Sequence, residues 1–304
     1  MTDVPGTSLH DYEIFLREQE DLSPTTRRGY LGDVRQFVKW CEQEWNAGSS
    51  LPTPFDPAQV STPMITKYRD HLQNTLNLKP ASVNRYLVSL KRYFSWATNE
   101  TKCIPRDPAH PVRLIKRNDP TPRQLSDTEE NRLLTQVIQH GSLRDRVLIT
   151  LLLHTGLRAG EACKLQRKHI IHTGKTERLR IYGKGNRYRE IPLNATAREA
   201  VREILITLPE DENTWLFTGE HRSKPITERT LGRIIKNYAN GANIPDLSPH
   251  DLRHRFAYRL METDRVPLHR VAELMGHDSL DTTRHYIKGT AADLQRAVDA
   301  IAWE

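Results

Sequence analysis

Five prolines between residues 105 and 122 (Pro105, Pro108, Pro111, Pro120 and Pro122) forbid a continuous helix through the middle of a chain whose flanks are patterned for helices. Each proline lacks an amide proton and clashes with the carbonyl four residues back, so helices must end before the cluster and restart after it. Arg113, Lys116 and Arg117 lie among the prolines, which suits an extended segment lying in water. With 304 residues, the chain is longer than one domain usually is. We therefore expect two domains, residues 1–112 and 122–304, joined by a linker at 113–121.

The first domain reads as helical. Ser23 and Pro24 supply an N-cap and a proline at the first helical position, and Tyr30, Val34, Phe37, Val38 and Cys41 follow at helical spacing. A second helix is expected from about Thr62 to Thr75. A third runs from Ser82 to Thr98, where Val83, Leu87, Leu90, Phe94 and Ala97 make one apolar stripe. Off that stripe Arg85 and Arg92 recur seven residues apart, as do Asn84 and Lys91. Such a strip is ordinarily a solvated face. From Arg85 to Arg117, however, eight basic residues face two acidic ones, which makes Arg85, Lys91 and Arg92 candidate contacts to nucleic-acid phosphates.

In the second domain, Ser126 to Glu129 carries capping chemistry, and an apolar helix from Arg144 to His154 ends at Gly156. Residues 168–193 change period: Ile170 and Ile171, Leu179 and Ile181, and Ile191 and Leu193 sit in short segments separated by glycine turns, a small three-stranded antiparallel sheet. Helical patterns resume at Ala195–Leu205, Thr227–Asn240, Pro249–Glu262, Leu268–Met275 and Ala291–Ala302. The fold class is thus mainly α with one small sheet.

The net charge of +7 is unevenly spread: residues 1–110 balance 13 basic against 13 acidic side chains, and the remainder carries 32 against 25. A basic surface favours a polyanion through counterion release, although many enzymes are as basic. Cys41, Cys103 and Cys163 are odd in number and form no C-x-x-C pair, which argues against a disulfide framework or a cysteine zinc site and fits a reducing cytoplasm. The polar, acidic N-terminus does not read as a signal peptide. The longest apolar run, Val147 to Leu153, is far shorter than the roughly 18 residues of a membrane span.

Five segments carry the chemistry: TGLRAGE at 155–161, GKGNRYREIPL at 183–193, HDLRH at 250–254, MGHDS at 275–279 and TTRHY at 282–286. In order and spacing they resemble the tyrosine recombinase (phage integrase) family, in its Xer-like, two-domain form. The resemblance covers the whole chain. It implies that the N-terminal helices are a core-binding domain clamping one face of the DNA, and that the pair of domains is C-shaped. It assigns Arg158, Lys184, His250, Arg253, His277 and Tyr286 to catalysis, with Tyr286 as the nucleophile that becomes joined to a 3′ phosphate. Lys184 would protonate the departing 5′ oxygen, with Lys175 as the competing candidate. His250 would assist deprotonation of the tyrosine or support the phosphate, and His277 would hydrogen-bond a non-bridging oxygen. Glu161 would orient an arginine or histidine. His254 and His285 are left as structural or DNA-facing residues.

The chemistry has its own logic. Tyrosine attack on a phosphodiester builds charge on two non-bridging oxygens, which fixed guanidinium forks hold bidentately. The phosphotyrosine link conserves bond energy, so the resemblance implies neither a metal nor a nucleotide cofactor. It implies a double-stranded recombination site as partner, a dimer on each site, a tetramer in synapsis, and strand exchange through a Holliday junction. The helix bearing Leu294, Ala297, Val298 and Ile301 has two options, to fold back locally or to dock on a neighbouring protomer, and the resemblance favours docking.

Rival readings explain less. HDLRH places two histidines four apart, as zinc hydrolases do, but aspartate stands where their glutamate would be, and Arg253 would sit beside the cation. The stretch from His169 to Thr176 ends like a phosphate-binding loop, yet lacks the first glycine and precedes a strand pattern. A type IB topoisomerase or a catalytically silent DNA-binding protein remains as an alternative function. Only about 20 residues precede the first expected helix, so no arm-site domain is expected. The DNA target, and whether the role is chromosomal, plasmid or mobile-element, are not legible.

Overall fold

The computed structural model describes residues 8–47, 53–116, 123–174, 176–183, 188–219, 223–262 and 266–276. The chain divides into two compact units, Met1–Asp119 and Pro120–Glu304.

The first unit is helical: α1 (Leu9–Glu18), α2 (Pro24–Trp45), α3 (Thr62–Asp70) and α4 (Pro80–Asn99). Ser23 caps α2 as its sequence predicts, its hydroxyl accepting from the Thr26 amide at 3.1 Å. The second expected helix is present in two parts, because after Asp70 the chain widens into a π-helical turn, His71–Thr75. The sequence reading missed α1. A Ser8–Asp11 capping box starts it, and it buries Tyr12 and Leu16; those two apolar positions are too few to stand out as a stripe. Aromatic rings form much of the core, with Phe37 edge-on to Tyr68 (centroids 5.0 Å apart) and Tyr12 edge-on to Tyr93 (5.1 Å).

Over its described residues, 104–116, the proline-rich segment forms bends, turns and irregular chain without helix or strand, and it is fastened to this unit. Ile104, Ala109 and Val112 are buried in its core. Asn84 pairs with both backbone polar groups of Ile115, at 2.9 and 2.8 Å, which gives a segment without helix or sheet the hydrogen bonds it needs.

The second unit contains α5 (Asp127–His140), α6 (Leu143–Thr155), α7 (Ala159–Cys163), β1 (Ile170–Thr173), β2 (Thr176–Tyr182), β3 (Tyr188–Pro192), α8 (Ala195–Ile206), α9 (Glu228–Gly241), α10 (Pro249–Glu262) and α11 (Leu268–Met275). The strands form one antiparallel sheet in the order β1-β2-β3. Its register aligns Ile170, Leu179 and Ile191 in one buried row. Helix α6 is apolar nearly all round because it is the centre of the unit, packed against both α8 and α10. A buried ionic knot ties α10 to α5: Glu130 accepts from Arg255 at 2.6 Å and from Arg259 at 2.7 Å, and Arg255 also reaches Asp127. The expected helix at 291–302 lies outside the described residues. No described helix is long and apolar enough to cross a membrane.

Candidate active site

The site is assembled on two helix ends. Helices α6 and α11 both stop at a glycine in the left-handed conformation, Gly156 at φ 60° and Gly276 at φ 62°. Terminating this way leaves carbonyls with no intrahelical partner at the negative end of each helix dipole. Arginines fill them. Arg253 on α10 donates Nη1 to the Gly156 carbonyl and Nη2 to the Met275 carbonyl, bridging the two helix ends. Arg158 donates Nη2 to the Gly276 carbonyl. The T-G-x-R and M-G-H motifs thus share one physical plan, a glycine stop whose exposed carbonyls orient a guanidinium.

The two arginines are held differently. Arg253 is 3% exposed, whereas the Arg158 side chain is 46% exposed. Arg158 is the N-cap of α7, and Glu161, one turn on, closes a capping box: its Oε2 accepts from the Arg158 amide at 2.7 Å and its Oε1 from Arg158 Nη1 at 3.0 Å. Burial alone would raise the Glu161 carboxyl, but hydrogen bonds and charge from Arg189, with those of Arg158, hold it below the usual carboxylate range. Glu161 is therefore a fixed anion between two cations.

His250 opens α10 one turn before Arg253, as the H-x-x-R spacing predicts. Its ring lies edge-on to that of His254, centroids 4.0 Å apart. Burial, reinforced by the Arg253 charge and opposed by Asp251, pushes His250 below the ordinary imidazole value, so it is neutral at pH 7 and able to accept a proton. Asp251, which stands where a zinc hydrolase would have glutamate, accepts instead from the Ser248 amide at 2.8 Å and hydroxyl at 2.6 Å, at the start of α10.

Arg158, Glu161 and Arg253 thus gather around the ends of α6 and α11, with His250 one turn before Arg253 on α10. Lys184, His277 and Tyr286, together with Lys175 and His285, lie outside the described residues. The three candidates in the first unit all have protein partners. Arg85 pairs with the buried Asp33, whose Oδ2 accepts at 2.6 Å, and keeps half its side chain exposed. Lys91 donates to the Ala109 and His110 carbonyls at 2.7 and 2.8 Å. Arg92 donates to Gln19 at 3.3 Å and lies over the Tyr30 ring.

One residue at the site escaped the sequence reading. Arg189 on β3 grips both oxygens of Glu161, at 3.0 and 2.8 Å, and donates Nε to the Leu274 carbonyl at 3.0 Å. A signal for it existed. Arg189 is two residues from Ile191 and opposite Ile181, so strand alternation puts it on the inward row, where an arginine must have a partner.

Comparison with known proteins identifies the family and the fold. The family described as "Phage integrase family" matches residues 123–292, and "Phage integrase, N-terminal SAM-like domain" matches residues 14–102. The chain is 29% identical over 302 residues to the tyrosine recombinase XerC of Myxococcus xanthus, covering 96% of each chain. It is 33% identical over 221 residues to the tyrosine recombinase XerA of Pyrococcus furiosus, covering 72% of this chain and 73% of that one. Among solved structures, the XerH site-specific recombinase bound to a palindromic difH substrate, in a post-cleavage complex, superposes with a TM-score of 0.74 at 22% identity, covering 96% of this chain and 84% of that one. A lambda integrase (75–356) dimer bound to a COC′ core site superposes with a TM-score of 0.70 at 17% identity, covering 97% and 96%.

Proposed function

Because this chain belongs to the phage integrase family of tyrosine recombinases, we propose that it cuts and rejoins duplex DNA at a specific site through a covalent link between Tyr286 and a 3′ phosphate. The observation that carries this reading is the pair of arginines anchored on helix ends, Arg253 bridging those of α6 and α11 and Arg158 on that of α11, with His250 one helical turn before Arg253. Two guanidinium groups fixed before the reaction need no reorganisation when charge builds on the non-bridging oxygens.

The Tyr286 hydroxyl, with an ordinary pKa near 10, gives its proton to His250 as its oxygen bonds to phosphorus. The bond from phosphorus to the 5′ oxygen breaks, and Lys184 supplies the proton that oxygen needs to leave. Attack by another strand's 5′ hydroxyl reverses these steps, so the phosphotyrosine bond itself provides for religation. Exchange in two such rounds passes through a Holliday junction and takes a dimer on each site and a tetramer at synapsis. The first unit binds the DNA, with Arg85, Lys91 and Arg92 on its phosphate-facing strip. The protein works in the cytoplasm.

The test is to trap the intermediate. Duplexes with randomised arms and a nick just downstream of the cleavage point let the short fragment bearing the freed 5′ hydroxyl diffuse away. Wild-type protein is expected to accumulate a DNA adduct resistant to denaturation, and sequencing the trapped DNA reads out the target site. Tyr286→Phe should bind the recovered duplex and form no adduct. An undiminished adduct in that variant would remove Tyr286 as the nucleophile.

A further inference from the structure

We propose that Arg189 is a positioning residue for strand cleavage, holding Arg158 in place through Glu161 and leaving its charge available to the scissile phosphate; the proposal rests on the recombinase reading above. Arg189 sits on β3 opposite Ile181, with a side chain only 13% exposed. A guanidinium cannot shed its charge, so burying one requires a full set of partners. Each of the three Arg189 nitrogens has a partner: its Nη1 and Nη2 reach the two Glu161 oxygens at 3.0 and 2.8 Å, and its Nε donates to the Leu274 carbonyl at 3.0 Å.

These bonds close a ring. Glu161 Oε2 also accepts from the Arg158 amide at 2.7 Å, and Oε1 from Arg158 Nη1 at 3.0 Å. Arg158 returns to the end of α11 through the Gly276 carbonyl. Gly276 belongs to the same construction, because a Cβ there would come within 2.7 Å of Arg189 Nη1 and 2.9 Å of its Cζ. The MGH glycine therefore both stops α11 and lets the Arg189 guanidinium lie against its backbone.

Charge is the functional consequence. Two arginines share one carboxylate, so the ring carries one net positive charge, which a phosphate oxygen would complete. Without Arg189 the ring is neutral: Glu161 has Arg158 as its only remaining cation in the ring and pulls it inward, away from the phosphate. Misplacement of a stabilising group by about 1 Å can cost about 100-fold in rate.

The experiment uses the full chain and the nicked duplex recovered with wild-type protein, measuring single-turnover adduct formation, duplex affinity and thermal unfolding. Arg189→Gln should bind that duplex within about threefold of wild type and cleave it about 10- to 100-fold more slowly. Removing the carboxylate that then draws Arg158 inward should not add to the loss, so Arg189→Gln with Glu161→Gln should cleave no more slowly than the worse single variant. A duplex with a neutral methylphosphonate at the scissile position demands less charge. The Arg189→Gln defect should shrink on it in parallel with that of Arg158→Ala, which general disorder of the fold would not produce.

If Arg189→Gln does not fold, Arg189→Lys carries the test, since it keeps the charge and loses the fork. It should cleave at least about threefold slower than wild type, again with relief on methylphosphonate. Cleavage by the folded variant within about twofold of wild type, or a defect equally large on both duplexes, overturns the proposal. Absence of an adduct with wild-type protein overturns the recombinase reading itself, and the two failures are told apart by that arm.

Discussion

Arg158 and Arg253 stand at opposite ends of a range of constraint. Arg253 is buried and spans two helix ends, while Arg158 is half-exposed and shares Glu161. Alanine at either position should depress single-turnover cleavage by orders of magnitude while changing duplex affinity much less, as expected for contacts that strengthen in the transition state. Only Arg253→Ala should also lower stability, by about 1–3 kcal/mol in denaturant unfolding, because it orphans two carbonyls at helix ends. His250 gives a pH prediction. Its folded-state value lies below the ordinary imidazole value, chiefly through burial, so the second-order rate constant for cleavage should be flat through neutrality and decline only on the acid side of about pH 6.5. The linked stability has the same sign: it is fully present above about pH 6.5 and lost as pH falls through the lowered value. A decline beginning above pH 7 would remove His250 as the base. Arg85 should show two separable effects. Arg85→Ala leaves the buried Asp33 carboxylate without its guanidinium, although Ser89 still donates at 2.7 Å, and should destabilise by about 1–2 kcal/mol. If Arg85 also touches phosphate, the salt dependence of binding should fall by about one unit of slope.

At the scale of elements, the ends of helices decide where the chemistry sits. A helix that stops on a left-handed glycine turns its chain sharply and presents its last carbonyls to whatever donor lies opposite. In α6 that turn is packed as well as strained, since a Cβ on Gly156 would run into the Phe256 ring of α10. Gly156→Ala should therefore lose more than the left-handed conformation alone costs. We expect about 2–4 kcal/mol, a fall of the melting temperature by about 5 °C or more, and cleavage reduced with it because the Arg253 acceptor moves. The conservative change at an open position, Gly232→Ala on α9, where no atom lies within 4 Å of an added Cβ, serves as control and should be neutral or slightly stabilising.

Across the whole molecule, two cores are built on different principles. The first unit packs aromatic rings between four helices, and the second packs aliphatic side chains between helices and a three-stranded sheet. Each unit therefore has its own hydrophobic core, as separate domains do. The basic excess falls beyond residue 110, in the part of the chain that carries the arginine site, which suits a polyanionic substrate. On the proposal that arginines and histidines supply the charge stabilisation, cleavage by wild-type protein should be unchanged after exhaustive chelation and need no added nucleotide. Loss in chelator, restored by a divalent cation, would point to metal-assisted chemistry.

Much of this was legible in the residues because it depends on short-range physics. Helix periodicity located α2, α4, α6 and α8 to α11 to within a few residues. Glycine turns and alternating isoleucines marked the sheet, while Arg158, Glu161, His250 and Arg253 came from the resemblance of the motifs to tyrosine recombinases. What the chain alone left hidden depends on contacts between distant segments. Helix α1 carries only two buried side chains and shows as a helix through its packing. The proline-rich segment reads as free linker until Asn84 is seen holding Ile115. The strip of Arg85, Lys91 and Arg92 reads as open charge until Asp33, the Ala109 and His110 carbonyls, and Gln19 are found opposite them. Arg189 is the clearest instance. Its inward position follows from strand alternation, but its partners are Glu161, 28 residues earlier, and Leu274, 85 residues later. Only tertiary structure decides which buried charge meets which, because hydrogen bonding is directional and short in range, and sequence separation carries no information about it.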